Sequence, residues 1–174
     1  LRVPGKRLEY CEIRDKSNRE VISALEECDL VVDQLYSDII FPIFPTEAAY
    51  LGKCSIIGMY DQKFIFRGIP ENLIPPAFYT HPEQLGHTLR KVLLYSKAKL
   101  YDRGQQMRQF ALKNLTEKRV AEKFVQIIDD QFPECWHYDP AQYDYVNGCV
   151  ITEAKQFGVI RDICNQFSFD ALLM

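Results

Sequence analysis

LVVDQLYSDIIFPIFPTEAAYLGKCSIIG, residues 30–58, decides how the chain is read. Leu30, Val31 and Val32 form a short apolar run ending in Asp33 and Gln34, the pattern of a buried strand with polar atoms at its carboxyl end. A loop holding Pro42 and Pro45 follows. Thr46 then suits the N-cap of a two-turn helix, Glu47 its first-turn acid, and Gly52 the position just past its end. Cys54, Ser55, Ile56, Ile57 and Gly58 read as a second buried strand. This order of strand, loop, short helix and strand predicts two parallel strands joined by a right-handed crossover. In open α/β sheets ligands sit beyond the carboxyl ends of the strands, beside helix N-termini whose free N–H groups attract phosphate. Glu47 is expected at that place.

Upstream, residues 8–13 alternate apolar and polar side chains and read as a strand with one solvated side. Ser17, Asn18, Arg19 and Glu20 form a capping box opening a helix that turns Val21, Ile22, Leu25 and Cys28 inward. Downstream, Phe64, Ile65 and Phe66 read as a short edge strand, and residues 76–80 as the last strand. Pro82 fits the first turn of a helix whose face is Leu85, Leu89, Val92 and Leu93, with His81 as punctuation at its start. A helix over about 97–113 places Leu100, Gly104, Met107 and Ala111 on one side, and the small residues predict close packing. Thr116 opens a third helix with Val120, Phe124, Ile127 and Ile128 inward.

Beyond Phe132 the pattern changes. Pro133 and the aromatics Trp136, His137, Tyr138, Tyr143 and Tyr145 lead to an amphipathic helix from Thr152 to about Gln166, striped by Phe157, Ile160, Ile163, Cys164 and Phe167. Two regions follow: an α/β domain over 1–132 and a helical C-terminal extension over 133–174.

Composition is that of an ordinary globule, 47% hydrophobic and 26% charged over 174 residues. No apolar run approaches the roughly 20 residues needed to cross a bilayer, so a cytoplasmic protein is expected. The six cysteines, at 11, 28, 54, 135, 149 and 164, show no C-x-x-C and read as reduced, mostly buried thiols. His81, His87 and His137 do not complete a metal set, and no P-loop or G-x-S-x-G is present. Residues 90–123 carry ten Lys or Arg against three acids, a net of +7, whereas residues 124–174 net −6 from two bases and eight acids. Two readings stand open for the basic helices: contact with anionic lipid, or solvated faces paired with the acidic tail. An overall charge of −3 argues against nucleic acid as a partner.

The segment FPTEAAYLGKCSII, residues 44–57, resembles the E-A-M-A-L-G-K-P-V-I signature of the nucleotide-sugar domain in group 1 glycosyltransferases of the GT-B fold. The resemblance runs roughly over residues 9–129. It implies a Rossmann-like parallel sheet flanked by helices, part of a GT-B C-terminal lobe. It also implies a transferase moving a sugar from a nucleoside diphosphate sugar to a saccharide or lipid-linked hydroxyl acceptor, in polysaccharide or glycoconjugate synthesis, with no cofactor and no essential metal. Peripheral contact with the inner membrane face would follow. Glu47 would accept hydrogen bonds from both ribose hydroxyls, since two carboxylate oxygens match two vicinal donors. Backbone N–H groups of Thr46 to Ala48 would face phosphate, and Asp33, Gln34, Tyr36 and Asp38 would stand near the sugar. Ile39 occupies the place of the family's second glutamate, and Pro42 that of a glycine near the diphosphate. No residue is nominated as catalytic base, because in this fold the cleft forms between two lobes.

About four strands are expected here against about six in a complete nucleotide-binding half. The reading is therefore a portion of a longer protein, inactive alone, whose other strands, diphosphate-binding basic residues and N-terminal lobe precede Leu1. Two plainer readings stay open. An acid in the first turn of any helix is favoured by about 0.3–1 kcal/mol without a ligand. The second is a non-catalytic α/β module that kept this scaffold and binds a partner protein through its aromatic tail; Ile39 and Pro42 favour it and the intact E-A-x-x-L-G-K segment disfavours it.

Overall fold

A computed structural model describes residues 7–137, 146–147 and 151–167. The chain divides into two compact units, Leu1–Phe132 and Pro133–Met174.

The first unit is α/β: a three-stranded parallel sheet flanked by helices. Helix α1 (Asn18–Glu27) leads to strand β1 (Leu30–Asp33), helix α2 (Ile43–Tyr50), strand β2 (Cys54–Gly58) and the single-turn helix α3 (Gln62–Ile65). Strand β3 (Phe78–Thr80) and helices α4 (Leu85–Leu93), α5 (Lys97–Asn114) and α6 (Glu117–Ile128) complete it. The strand order is β1-β2-β3, with Leu30 opposite Cys54 and Ile56 opposite Phe78. All five residues of β2 are buried, as a central parallel strand covered on both faces requires.

Helix α2 ties the core together because small residues let it approach two neighbours at once. Its Ala49 enters the main cluster with Ile56 and Ile57 of β2 and Met107 and Ala111 of α5, whereas its Ala48 packs with Leu25 of α1 and Val31 of β1. Its end is fixed by Gly52, which has φ +71°. Gly52 N–H donates to the Ala49 carbonyl and Lys53 N–H to the Ala48 carbonyl, both at 2.9 Å, the paired bonds of a Schellman motif. Gly104 of α5 then lies directly on that turn. A Cβ there would stand 1.9 Å from the Gly52 carbonyl oxygen, so the close packing expected of α5 is present.

Several expectations hold in detail. Ser17 and Glu20 close a capping box, with Ser17 N–H donating to Glu20 Oε2 at 2.9 Å; that bond, first among the causes, holds the exposed Glu20 carboxyl down at about 2. His81 Nδ1 accepts from Glu83 N–H, and Pro82 takes the first position of the turn that leads into α4. Thr116 caps α6 by accepting from Arg119 N–H at 3.3 Å.

Others are corrected. Residues 8–13 form no strand: the alternation is there, but residues 7–12 are exposed and pair with no neighbour. Residues 64–66 are not an edge strand, because Asp61 accepts from Phe64 N–H at 3.0 Å and winds residues 62–65 into α3. The last strand is shorter than 76–80 and begins at Phe78. The stripe of α6 does not face inward. Val120, Phe124, Ile127 and Ile128 are exposed, from 39% to 78% of their surface, so helical periodicity marked an apolar face without marking what covers it. Among the described cysteines, all free, only Cys54 is buried, Cys28 and Cys164 are half-buried, and Cys11 and Cys135 are exposed. Burial pushes the Cys54 thiol up to about 11.

In the second unit Glu134–Trp136 forms one 3₁₀ turn, β4 (Val146–Asn147) pairs antiparallel with β5 (Ile151–Thr152), and α7 (Glu153–Phe167) follows. The expected helix is therefore present. Of its stripe, Phe157 and Phe167 are exposed and Ile160, Ile163 and Cys164 half-buried. Tyr138, Tyr143, Tyr145 and Cys149 lie outside the described residues.

Candidate functional site

Parallel strands whose helices run back antiparallel bring every helix start to the carboxyl end of the sheet. At the end of β1 two such starts meet, α1 at Asn18 and α2 at Ile43. Between them lies a cleft of about 650 Å³. Its polar lining comes from Lys16, Asn18, Asp33, Gln34 and Glu47, and its apolar lining includes Phe41, Pro42 and Phe44.

Three of the residues singled out from the sequence therefore share this cleft: Asp33 and Gln34 at the strand end, and Glu47 on the helix. Glu47 is half-buried, and its Oε1 accepts from Asn18 Nδ2 at 3.0 Å. A neutral amide thus orients the carboxylate. Asp33 is half-buried too, and its Oδ2 has no hydrogen-bond partner and no contact with solvent. Burial raises its carboxyl above the ordinary aspartate range, while the Gln34 N–H works in the other direction. Gln34 has φ +49°, a left-handed conformation uncommon outside glycine. The chain bends there across the end of β2, where a Cβ on Gly58 would come within 2.1 Å of the Leu35 carbonyl oxygen. Glycine at 58 is what allows the loop to fold over the sheet and leave Asp33 at the cleft.

The remaining nominated residues do not converge. Asp38 accepts from Tyr60 N–H at 2.9 Å and holds a loop. Tyr36 is 81% exposed and is not part of the lining. Thr46 is not the N-cap, because α2 begins three residues earlier. Pro42 stands at the cap, and Pro45, which lacks an N–H, is tolerated in the first turn. Thr46 lies inside the helix, with its N–H and its hydroxyl both donating to the Pro42 carbonyl, at 3.1 and 2.8 Å. Glu47 is consequently the fifth helical residue, Ala48 is fully buried, and the amides of Thr46 to Ala48 belong to the helix ladder. The amides at the open end of α2 are those of Ile43 and Phe44.

Lys16 and Asn18 join the site from outside the organising stretch of sequence. The capping box around Ser17 was the available signal, since it fixes where α1 starts, and a helix running antiparallel to the next strand must start at that strand's carboxyl end. Lys53, conspicuous in the signature-like segment, is structural. Its Nζ donates to the carbonyls of Glu26 at 2.7 Å and Cys28 at 2.9 Å, closing the last turn of α1.

Among the described residues no group of three or more His, Cys, Asp or Glu converges as a metal site, and no helix is long and apolar enough to cross a membrane. No protein-family model, no curated protein and no solved structure matches this chain.

Proposed function

We propose that the first unit is the donor-binding part of a sugar transferase, a Rossmann-like portion of a GT-B C-terminal lobe, with Glu47 gripping the ribose of a nucleoside diphosphate sugar. One observation carries this reading. A carboxylate steered by Asn18 stands in an open cleft at the carboxyl end of a parallel strand. Residues that bind the diphosphate, the acceptor site and the catalytic base would belong to the remainder of a longer protein, and the terminal position of β1 in the sheet suits further strands beside it. Lipid-linked or saccharide acceptors, and a place at the cytoplasmic membrane face, belong to the same reading.

A second reading, a non-catalytic α/β module, is favoured by Ile39 and Pro42, which line the cleft where the resembling enzymes carry a glutamate and a glycine. Calorimetric titration of the chain with uridine and guanosine diphosphates separates the two. The transferase reading predicts weak binding that Glu47→Ala lowers by at least about tenfold, the scale of one lost charge-assisted hydrogen bond. If no nucleotide binds, even to the full-length protein, the module reading replaces it.

A further inference from the structure

We infer that the apolar face of helix α6 seats a second copy of this chain, the two α6 helices lying antiparallel across a two-fold axis that runs beside Phe124. The face is formed and uncovered. Helices α4 and α5 bury Val92 in one and Leu100, Met107 and Ala111 in the other, whereas α6 buries no residue at all. The half-buried side of α6 is polar, at Glu122 and Lys123, and the side that meets solvent carries Val120, Phe124, Val125, Ile127 and Ile128. A helix of 12 residues is marginal in water without packing, and contiguous apolar exposure of this kind marks an interaction surface.

The spacing of charge selects the occupant. Lys118 and Asp129 are about three helical turns apart in sequence, so they lie within about 20° of each other around the axis, on one flank of the stripe and at its opposite ends. Asp129 continues the helical path, its N–H donating to the Val125 carbonyl at 2.9 Å. A two-fold axis at the midpoint of that pair sets Lys118 of each copy opposite Asp129 of the other. The same register lays Val120 against Ile127 of the other copy, so one axis gives two ion pairs and a continuous apolar seam, as a self-complementary contact requires. Glu117, the acid of the first turn, is balanced by the amide end of its own helix. Other occupants fit the charges less well. Helix α7 carries Glu153 and Asp162 against Lys155 and Arg161, and so offers no net charge to match. An anionic membrane would attract Lys118 and Arg119 but repel Asp129 and Asp130 at the more apolar end of the stripe.

Sedimentation equilibrium of the 174-residue chain tests this. Monomer and dimer should exchange with a Kd of roughly 10–100 μM, as a small interface allows, and the dimer should loosen as salt screens its exposed ion pairs. Phe124→Glu should raise that Kd at least about tenfold, the scale of one apolar side chain lost from a seam. Lys118→Glu and Asp129→Lys should each weaken self-association several-fold, and mixing the two variants should restore it, because both ion pairs then re-form with their charges exchanged. All three altered side chains are exposed, so circular dichroism should show the fold unchanged. Dimers that neither charge reversal weakens, or that mixing does not restore, pair through another surface or in parallel and overturn the inference. A chain that stays monomeric well above that Kd range overturns it too; if that monomer cosediments with vesicles of phosphatidylcholine and phosphatidylserine, the face belongs to lipid instead.

Discussion

The two ends of α2 are built from one stretch of sequence and end in opposite physical states. At its C-terminal end the carbonyls of Glu47, Ala48 and Ala49 are all matched. Gly52 and Lys53 close the helix, Lys53 Nζ satisfies α1, and Gly104 presses on the turn with no room to spare. At its N-terminal end the amides of Ile43 and Phe44 have no partner within the helix, Asp33 Oδ2 is unmatched, and a cleft of about 650 Å³ stands open. The contrast teaches that a signature-like segment divides its labour. Its second half holds the helix at a fixed place on the sheet, while the chain just before it leaves the amides of Ile43 and Phe44 outside the helix ladder.

The firmest way to break the closed end is Gly104→Ala. In an exposed helix this change gains up to about 1 kcal/mol, but here the new methyl meets backbone at 1.9 Å, and overpacking of about 1–3 kcal/mol or more wins. A net loss of about 2 kcal/mol should lower Tm by roughly 4–8 °C in thermal unfolding followed by circular dichroism. Gly86→Ala in α4, where a Cβ meets nothing within 4 Å, is the control and should leave Tm unchanged or slightly raised.

A milder attack on the same end is Lys53→Met, which keeps the stem and removes the ammonium from two carbonyls. It should cost about 1–2 kcal/mol in urea unfolding and leave nucleotide affinity within twofold. At the open end the pattern reverses. Asn18→Ala should shift Tm by no more than about a degree, because its one bond is solvent-exposed, yet weaken nucleoside binding several-fold by freeing Glu47 to rotate.

Asp33→Asn gives the smallest effect, and its sign is diagnostic. Burial raises the folded-state pKa of Asp33, so the folded protein holds the extra proton between the ordinary aspartate value of about 3.9 and the raised one. Stability therefore falls as pH rises through that window, and the penalty is complete above it. The variant should melt about a degree higher than wild type at pH 7, and the difference should vanish as pH drops below about 3.9. A variant less stable at pH 7 would mean that the carboxylate is a structural asset and the cleft less open than described.

Much of this was legible in particular residues. Val31 and Ile56 with their neighbours gave the two parallel strands, Ser17 and Glu20 the start of α1, Gly52 the end of α2, and Leu100, Gly104, Met107 and Ala111 the buried face of α5. Those signals are local: a cap, a left-handed position, a period of 3.6. Where they misled, the competing interaction was also local but weaker in pattern. Asp61 turned residues 62–65 into a helix, and Pro42 with Pro45 started α2 before Thr46. The alternation of residues 8–13 and the stripe of α6 were correct as patterns, and only the absence of a covering neighbour among the described residues left them exposed.

By itself the sequence determined the class of fold, the central strands, and the presence of Asp33, Gln34 and Glu47 at the sheet's carboxyl end, because hydrophobic period and capping chemistry act over a few residues. Only the tertiary structure decided that Asn18 steers Glu47, that Asp33 keeps an unmatched oxygen, that Asp38 and Lys53 serve the scaffold, and that the amides of Thr46 to Ala48 are consumed. The roles of Asn18, Asp38 and Lys53 depend on pairings across 22 to 29 residues of chain. Such pairings are fixed by how helices pack on a sheet, and no local pattern encodes them.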